Sequence, residues 1–218
     1  MVKRWLIMTT LLGTLFITSC SVFGFRGSTE TPSYDVVDHV GQVVIRYYPT
    51  RLAAETFVDT DDVEQARQTG FKRLAGYIFG ANTSQTKVAM TAPVAQSSQK
   101  IRVTAPVSQS YVEKGWRIRF FLPCHFDLAN APTPNDNRVV LQSLPPQTYA
   151  VLRFSNSRSE SALRQHIGAL EHALSDSRWQ PSGPAVAWFY DPPWTLPFLR
   201  RNEVAIPVHE KSKAAKSA

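Results

Sequence analysis

The side chains able to do chemistry in this 218-residue chain are scattered, and few recur at a spacing that catalysis or metal binding requires. Cys124-His125, just after "FFLP", joins a thiol to an imidazole, both metal ligands. Adjacent strand residues point to opposite faces, so one of the two at most could serve. His166 and His172 stand six apart in a helical stretch, on different faces, and make no metal pair. Asp59, Asp61, Asp62 and Glu64 gather where a helix is predicted to start, and the helix dipole accounts for them without catalysis. The chain lacks H-E-x-x-H, G-x-S-x-G, Cys-x-x-Cys and a glycine-rich phosphate loop.

Two stretches have the periodicity of helices. Asp61-x-x-Glu64 reads as a capping box ahead of Val63, Ala66, Gly70, Phe71, Leu74, Tyr77 and Ile78, with Gly80 placed to end the helix in a left-handed conformation. Ser157-x-x-Glu160 precedes the stripe Leu163, Ile167, Leu170 and Leu174. The other apolar runs are short, β-branched or aromatic, and predict strands over 42–48, 53–58, 87–94, 100–107, 116–122, 139–144, 149–154, 185–190 and 203–208. Strand, helix and paired strands follow one another in each half. The order predicts an α+β domain: a distorted β-barrel or curved antiparallel sheet with two flanking helices, internally duplicated as a strand-helix-strand-strand repeat.

Hydrophobic residues make up 43% of the chain and aromatics 11%, enough for a packed core. Residues 1–19 read as an export signal, with Lys3 and Arg4 before an apolar run too short to span a bilayer. Ile17-Thr18-Ser19-Cys20 resembles the bacterial lipoprotein box, which makes Cys20 the expected site of acylation, palmitate included, and residues 20–33 a lipidated tether. The alternative is an ordinary export signal with an incidental cysteine. Ser21 after the cysteine points to the periplasmic face of the outer membrane as the place of the lipid anchor in the cell envelope. With Cys20 acylated only Cys124 remains, so stability is expected to rest on the core and not on a disulfide. Losing Lys3 and Arg4 with the signal lowers the net charge from +7 to +5. That excess favours anionic ligands or membrane surfaces, and no nucleic-acid recognition motif accompanies it. The folded domain is expected over 34–208, and 209–218 as a disordered basic tail.

One phrase is written twice: Lys-x-x-x-Thr-Ala-Pro-Val-x-Gln begins at Lys87 and again at Lys100. Apolar residues alternate in both copies. Taking "QSSQ" (96–99) as a turn pairs Val88 with Val107 and Met90 with Ala105, and sets Thr91 opposite Thr104. The phrase therefore reads first as a hairpin, bent at Pro93 and Pro106, with Met90 its one candidate for ligand contact.

"KVAMTAPV" after "GYIFGANTSQ", preceded by "VVIRYYPTRLAAETF" and followed by "WRIRFFLP" and "YDPPWTLPFLRRNEVAIPV", resembles the SOUL heme-binding protein family from Tyr34 to about Val208. The resemblance implies a barrel-like or curved sheet with two helices and an internal repeat. It also implies heme or a related tetrapyrrole held in a hydrophobic groove. Carried onto this chain, the groove would use Phe71, Leu74, Tyr77 and Ile78 of the first helix, Trp194 and Phe198 of the loop before the last strand, and Tyr47 and Met90. Lys72, Arg73, Arg200 and Arg201 would meet the propionates. Some members have His after the Arg of the early strand; here Tyr47 follows Arg46, so the metal ligand is left unknown, with Tyr47 a weak candidate. The expected function is binding of heme or another flat hydrophobic anion, for sequestration or transfer without turnover. Alternatives are a small-molecule effector-type binding module, a structural envelope lipoprotein without heme, and a hydrolase built on Glu203 and Tyr190.

Overall fold

The computed structural model describes residues 29–100, 114–192 and 194–211. The expected signal, Cys20, most of the tether, the second copy of the repeated phrase after Lys100, and residues 212–218 lie outside the described residues. In chain order the elements are β1 (Asp35–Val40), β2 (Val43–Tyr48), β3 (Arg51–Val58), α1 (Val63–Ile78), β4 (Val94–Lys100), β5 (Lys114–Phe121), β6 (Val139–Leu144), β7 (Gln147–Phe154), α2 (Glu160–Ser175), β8 (Trp179–Pro181), β9 (Val186–Phe189) and β10 (Asn202–Glu210). A 3-10 turn at Pro197–Leu199 precedes β10.

The ten strands form one sheet in the order β1-β2-β7-β10-β9-β4-β5-β3-β6, with β8 added to the far end of β10. Every pairing is antiparallel. The order carries the duplication. If β2-β3-α1-β4-β5 is matched to β6-β7-α2-β9-β10, exchanging each strand for its counterpart reverses the central order β2-β7-β10-β9-β4-β5-β3-β6. The first strand of each half pairs with the second strand of the other: β2 with β7, and β6 with β3.

The links after β2 and β6 show how this is arranged. Pro49-Thr50 and Pro145-Pro146 each join two strands that do not pair with each other. Proline has no N–H to close a hairpin, and a two-residue link spans only about 10 Å. The sheet therefore curls until its two ends lie near each other. No hydrogen bonds join β1 to β6, so it remains an open curved sheet and does not close into a barrel.

Both helices pack on the same face, each over strands of its own half: α1 on β5 and β3, α2 on β10 and β7. Their apolar stripes decide this. Ala66, Leu74, Tyr77 and Ile78 of α1 meet Leu52, Ala54, Ile118 and Phe120, and Leu163, Leu170 and Leu174 of α2 meet Ile45, Ala150, Val204 and Ile206. Burying each such side chain contributes about 1.5–3 kcal/mol. Gly70 lets α1 approach, because a Cβ there would lie 2.4 Å from Ile118 Cγ1. The helix starts differ from expectation by one and two residues. Asp62, not Asp61, accepts from the Glu64 and Gln65 amides at 2.8 and 3.1 Å, and Ser159, not Ser157, caps α2. Gly80 takes the expected positive φ, +113°. Beyond it Asn82, fully buried, ties the exit from α1 through the Tyr77 and Thr86 carbonyls and the Thr86 amide.

The repeated phrase does not fold as its alternation suggests. Residues 87–93 are not a strand, and Gln96–Gln99 are no turn: they lie inside β4, which pairs with β9 on one side and with β5 on the other, Val94 opposite Phe120. The reason is polar. Gln96 is buried, accepts from Arg67 Nε at 3.1 Å, and occupies a core-facing position with hydrogen bonds in place of apolar contacts. Thr91 is not on an outer face; it is buried and its hydroxyl donates to the Phe121 carbonyl. The peptide bond between Ala92 and Pro93 is cis.

At the ends, β10 continues past Val208 to Glu210. Lys211 Nζ then donates to the Ser175 and Ser177 carbonyls at 3.2 and 2.7 Å, so the start of the expected tail is docked under α2. Upstream, the Ala92 amide donates to the Glu30 carbonyl at 2.9 Å, and the Cys124 amide to Glu30 Oε1 at 2.9 Å. The last residues of the expected tether thus lie against the domain.

Candidate functional site

Side chains able to meet a ligand collect in two places, one on each face of the sheet. On the helix face, above the seam where β4 pairs with β9, α1 and the start of α2 converge with the loop that precedes β10. Arg67, one turn into α1, hydrogen-bonds Gln96, pairs with Glu64, and reaches the Arg158 carbonyl at 3.5 Å. Arg158, just ahead of the α2 cap, donates to the Asn202 amide oxygen at 3.0 Å and to the Asp191 carbonyl at 2.8 Å. Both guanidiniums lie near the Phe189 ring, at 5.0 and 5.2 Å. Arg200 sits close enough for the three charges to matter. Burial, then Arg200, then Arg67 push Arg158 down to about 10, and burial lowers Arg67.

The loop itself is fastened by the Asn156 amide, which donates to the Pro197 carbonyl at 2.8 Å, and by Arg200 Nε, which donates to the Thr195 carbonyl at 2.8 Å. Trp194 and Phe198 nevertheless remain 63% and 65% exposed. Phe71, four residues beyond Arg67 and so on the same side of α1, is also exposed and touches Phe120 edge-on at 5.3 Å. Large aromatics left in water beside a cluster of guanidiniums suit a flat ligand with an apolar body and anionic ends.

Other residues expected at the groove are placed elsewhere. Leu74, Tyr77 and Ile78 are buried beneath α1 and support its seat without lining an open surface; the Tyr77 hydroxyl donates to the Pro132 carbonyl, and burial pushes it up to about 12. Met90 is exposed but lies past the end of α1, two residues beyond Val88, whose amide bonds the Ile78 carbonyl. Most of the length of α1 separates it from Arg67. Tyr47 shares its side of β2 with Val43 and Ile45, which pack under α2, half a molecule from α1. Lys72 is exposed beside Phe71, whereas Arg73 is engaged with the Phe57 carbonyl at 2.9 Å. Arg201, just ahead of β10, turns to the other face of the sheet, where it pairs with Glu203. Arg67 and Arg158 carry no motif. The duplication that sets α1 and the start of α2 beside one seam is the only sequence signal that could have joined them.

On the concave face, away from the helices, Glu203 is fully buried in a polar cluster. Arg46 Nη1 donates to Oε2 at 2.9 Å, Arg201 Nη2 to Oε1 at 2.7 Å, and the Tyr190 hydroxyl to Oε2 at 2.7 Å. Burial pushes the Glu203 carboxyl upward, but Arg46 and Arg201 outweigh it and the net direction is down. Burial likewise pulls Arg46 down, and Glu203 more than reverses this. Burial pushes Tyr190 up strongly and Tyr48 to about 12. The Glu203–Tyr190 pair that a hydrolase would need is therefore assembled, with its carboxylate enclosed and already neutralised. Elsewhere, Cys124 is exposed, His125 stacks on Phe126 at 4.2 Å, and His166 stacks on Phe154 at 4.1 Å, with its imidazole lowered by burial. Among the described residues no three His, Cys, Asp or Glu side chains gather as a metal site would require.

Residues 29–207 match the profile of a family described as SOUL heme-binding protein. Heme-binding protein 2 of Mus musculus is 27% identical over 159 residues, covering 67% of this chain and 70% of the relative. The Homo sapiens protein of the same name is 27% identical over 161 residues, covering 68% and 71%. Among solved structures, the C-terminal domain of EcmrR superposes with a TM-score of 0.58 at 12% identity, over 78% of this chain and 98% of that domain. A hydrolase from Listeria innocua superposes with a TM-score of 0.54 at 8% identity, over 77% and 92%. At such identities these structures share the fold alone.

Proposed function

The chain belongs to the SOUL heme-binding protein family, and from that premise we propose that it binds heme, or another flat hydrophobic dianion, on the helix face between α1 and the loop at residues 194–201. The observation that carries this reading is the exposure of Trp194 and Phe198 on the loop whose Thr195 carbonyl holds Arg200, with Arg200 in turn near Arg158. Phe71, Trp194 and Phe198 offer apolar surface to a macrocycle, and Arg200, Arg158 and Arg67 receive its carboxylates. A guanidinium has five N–H donors, so those with partners in the protein keep capacity for a ligand. Lys72 stands beside Phe71 as a further cation. Tyr47 and Met90 lie away from this surface, so the macrocycle is held by stacking and charge and not by an axial side chain from either. The binding serves sequestration or transfer, without turnover.

Titration of the protein with hemin is expected to give a saturable Soret change, weakened severalfold by Trp194→Ala and by Arg200→Ala and left unchanged by Tyr47→Phe. Absence of saturation at micromolar hemin would sink the proposal. The cell-envelope location rests on the Cys20 box and is proposed with it. An alkyne analogue of palmitate should label the wild-type chain in cells, and label retained by Cys20→Ser would exclude acylation there.

A further inference from the structure

The charge of the concave face does not balance. Alternation along β2, β3, β5, β7 and β10 places Glu55 and Glu203 there with Arg46, Arg51, Arg117, Arg119 and Arg153, and Arg201, just ahead of β10, joins them by pairing with Glu203. Arg117 and Arg119 share Glu55, and Arg46 and Arg201 share Glu203. For Arg51 no carboxylate partner exists among the described residues. Its guanidinium carbon lies instead 4.2 Å from the ring centre of Tyr48, 4.8 Å from that of Phe121 and 5.7 Å from that of Tyr149. Aromatic faces attract a cation without neutralising it. The Arg51 Nε–H is moreover buried with no acceptor, a costly state for a charged donor.

Beside this side chain is a cavity of about 50 Å³. Arg51 and Arg201 line it between the aromatic walls of Tyr34, Tyr48, Trp188 and Tyr190, and Pro93, with Thr31 and Pro32 from the segment before β1, completes the lining. A single water needs about 10–15 Å³ of such space, so the cavity has room for a few non-hydrogen atoms. A glutamate and a tyrosine in an aromatic cavity would suit a cationic ligand if the carboxylate were free. Here two arginines hold it, and the sign of the site is inverted.

We propose that this cavity is a carboxylate-binding site, taking a small monocarboxylic acid with Arg51 as its anchor, Arg201 beside it, and the aromatic walls around its short apolar body. The carboxylate supplies the counter-ion that Arg51 lacks, and the cramped cavity with its four aromatic walls favours an organic acid over a hydrated inorganic dianion. The site is on the opposite face of the sheet from the proposed heme surface. Its occupancy and hemin binding can therefore succeed or fail independently.

The probe is propionate, added to the full chain and followed by calorimetry and by the indole N–H signal of Trp188, with propylammonium as a cation of the same size. Propionate is expected to bind saturably in the millimolar range or tighter and to be preferred over propylammonium. Arg51→Gln should weaken it by about tenfold or more, as for loss of a charge-assisted hydrogen bond, while Trp194→Ala leaves it unchanged. No saturable response, an equal or better response to propylammonium, or undiminished affinity in a folded Arg51→Gln protein would each overturn the proposal. The comparison of the two ions on the wild-type chain decides the matter even if Arg51→Gln fails to fold.

Discussion

Arginine is used in opposite ways on the two faces of this sheet. On the concave face Arg46 and Arg201 are both locked to one buried carboxylate, that of Glu203. On the helix face Arg158 is held by the Asn202 amide oxygen and the Asp191 carbonyl, which orient a guanidinium without neutralising it. The contrast separates charge that holds the fold from charge available to a ligand. It also gives the two clusters different sensitivities to mutation and to pH.

Glu203→Ala is the substitution that tests this most severely. It leaves Arg46 buried without its counter-ion, and a loss of about 3–5 kcal/mol is expected, read from the urea unfolding midpoint. A loss below 1 kcal/mol would mean that the concave cluster is not structural. A smaller cost, about 1–3 kcal/mol, is expected for Gly70→Ala, because the new methyl meets Ile118 and lifts α1 from the sheet. Hemin affinity should fall with it, since Arg67 and Phe71 ride on the same helix.

Acid should separate the faces in a graded way. The Glu203 carboxyl lies below its ordinary value of 4.5 in the folded protein, so its contribution is complete above that value and is lost as pH falls below it. Stability should decline with acid in that window, and Glu203→Gln should flatten the decline. An unchanged slope in Glu203→Gln would assign the acid sensitivity to other carboxylates. The smallest effect on stability belongs to the helix face. Trp194→Ala and Phe198→Ala remove exposed rings and should change unfolding free energy by about 0.5 kcal/mol or less, while weakening hemin.

Much of the architecture was legible because burial leaves a periodic trace. The stripe through Leu74 and Ile78 and that through Leu163 and Leu174 announced both helices, and β-branched runs announced most strands. β1 was not legible, since "DVVDHV" has no clean alternation and its pairing shifts register between Val36 and Asp38. β8 is only three residues long. The repeated phrase misled for a physical reason: in β4 a buried position under the helices is taken by Gln96, sustained by Arg67, and no hydrophobic pattern reports a position filled by hydrogen bonds. For the proposed ligand surface, the family resemblance pointed to Trp194, Phe198, Phe71 and Arg200. It could not show that Arg201 turns to the other face or that Arg67 and Arg158 join Arg200. Those facts depend on how the two halves meet.

The crossed pairing of β2 with β7 and of β6 with β3 has a consequence for how such a chain could arise. One five-element unit alone would carry a first strand with no partner of its own and an exposed edge waiting for one. Two free copies would complete each other by strand exchange, as in a domain-swapped homodimer. The present chain has the topology of such a dimer written as a single polypeptide.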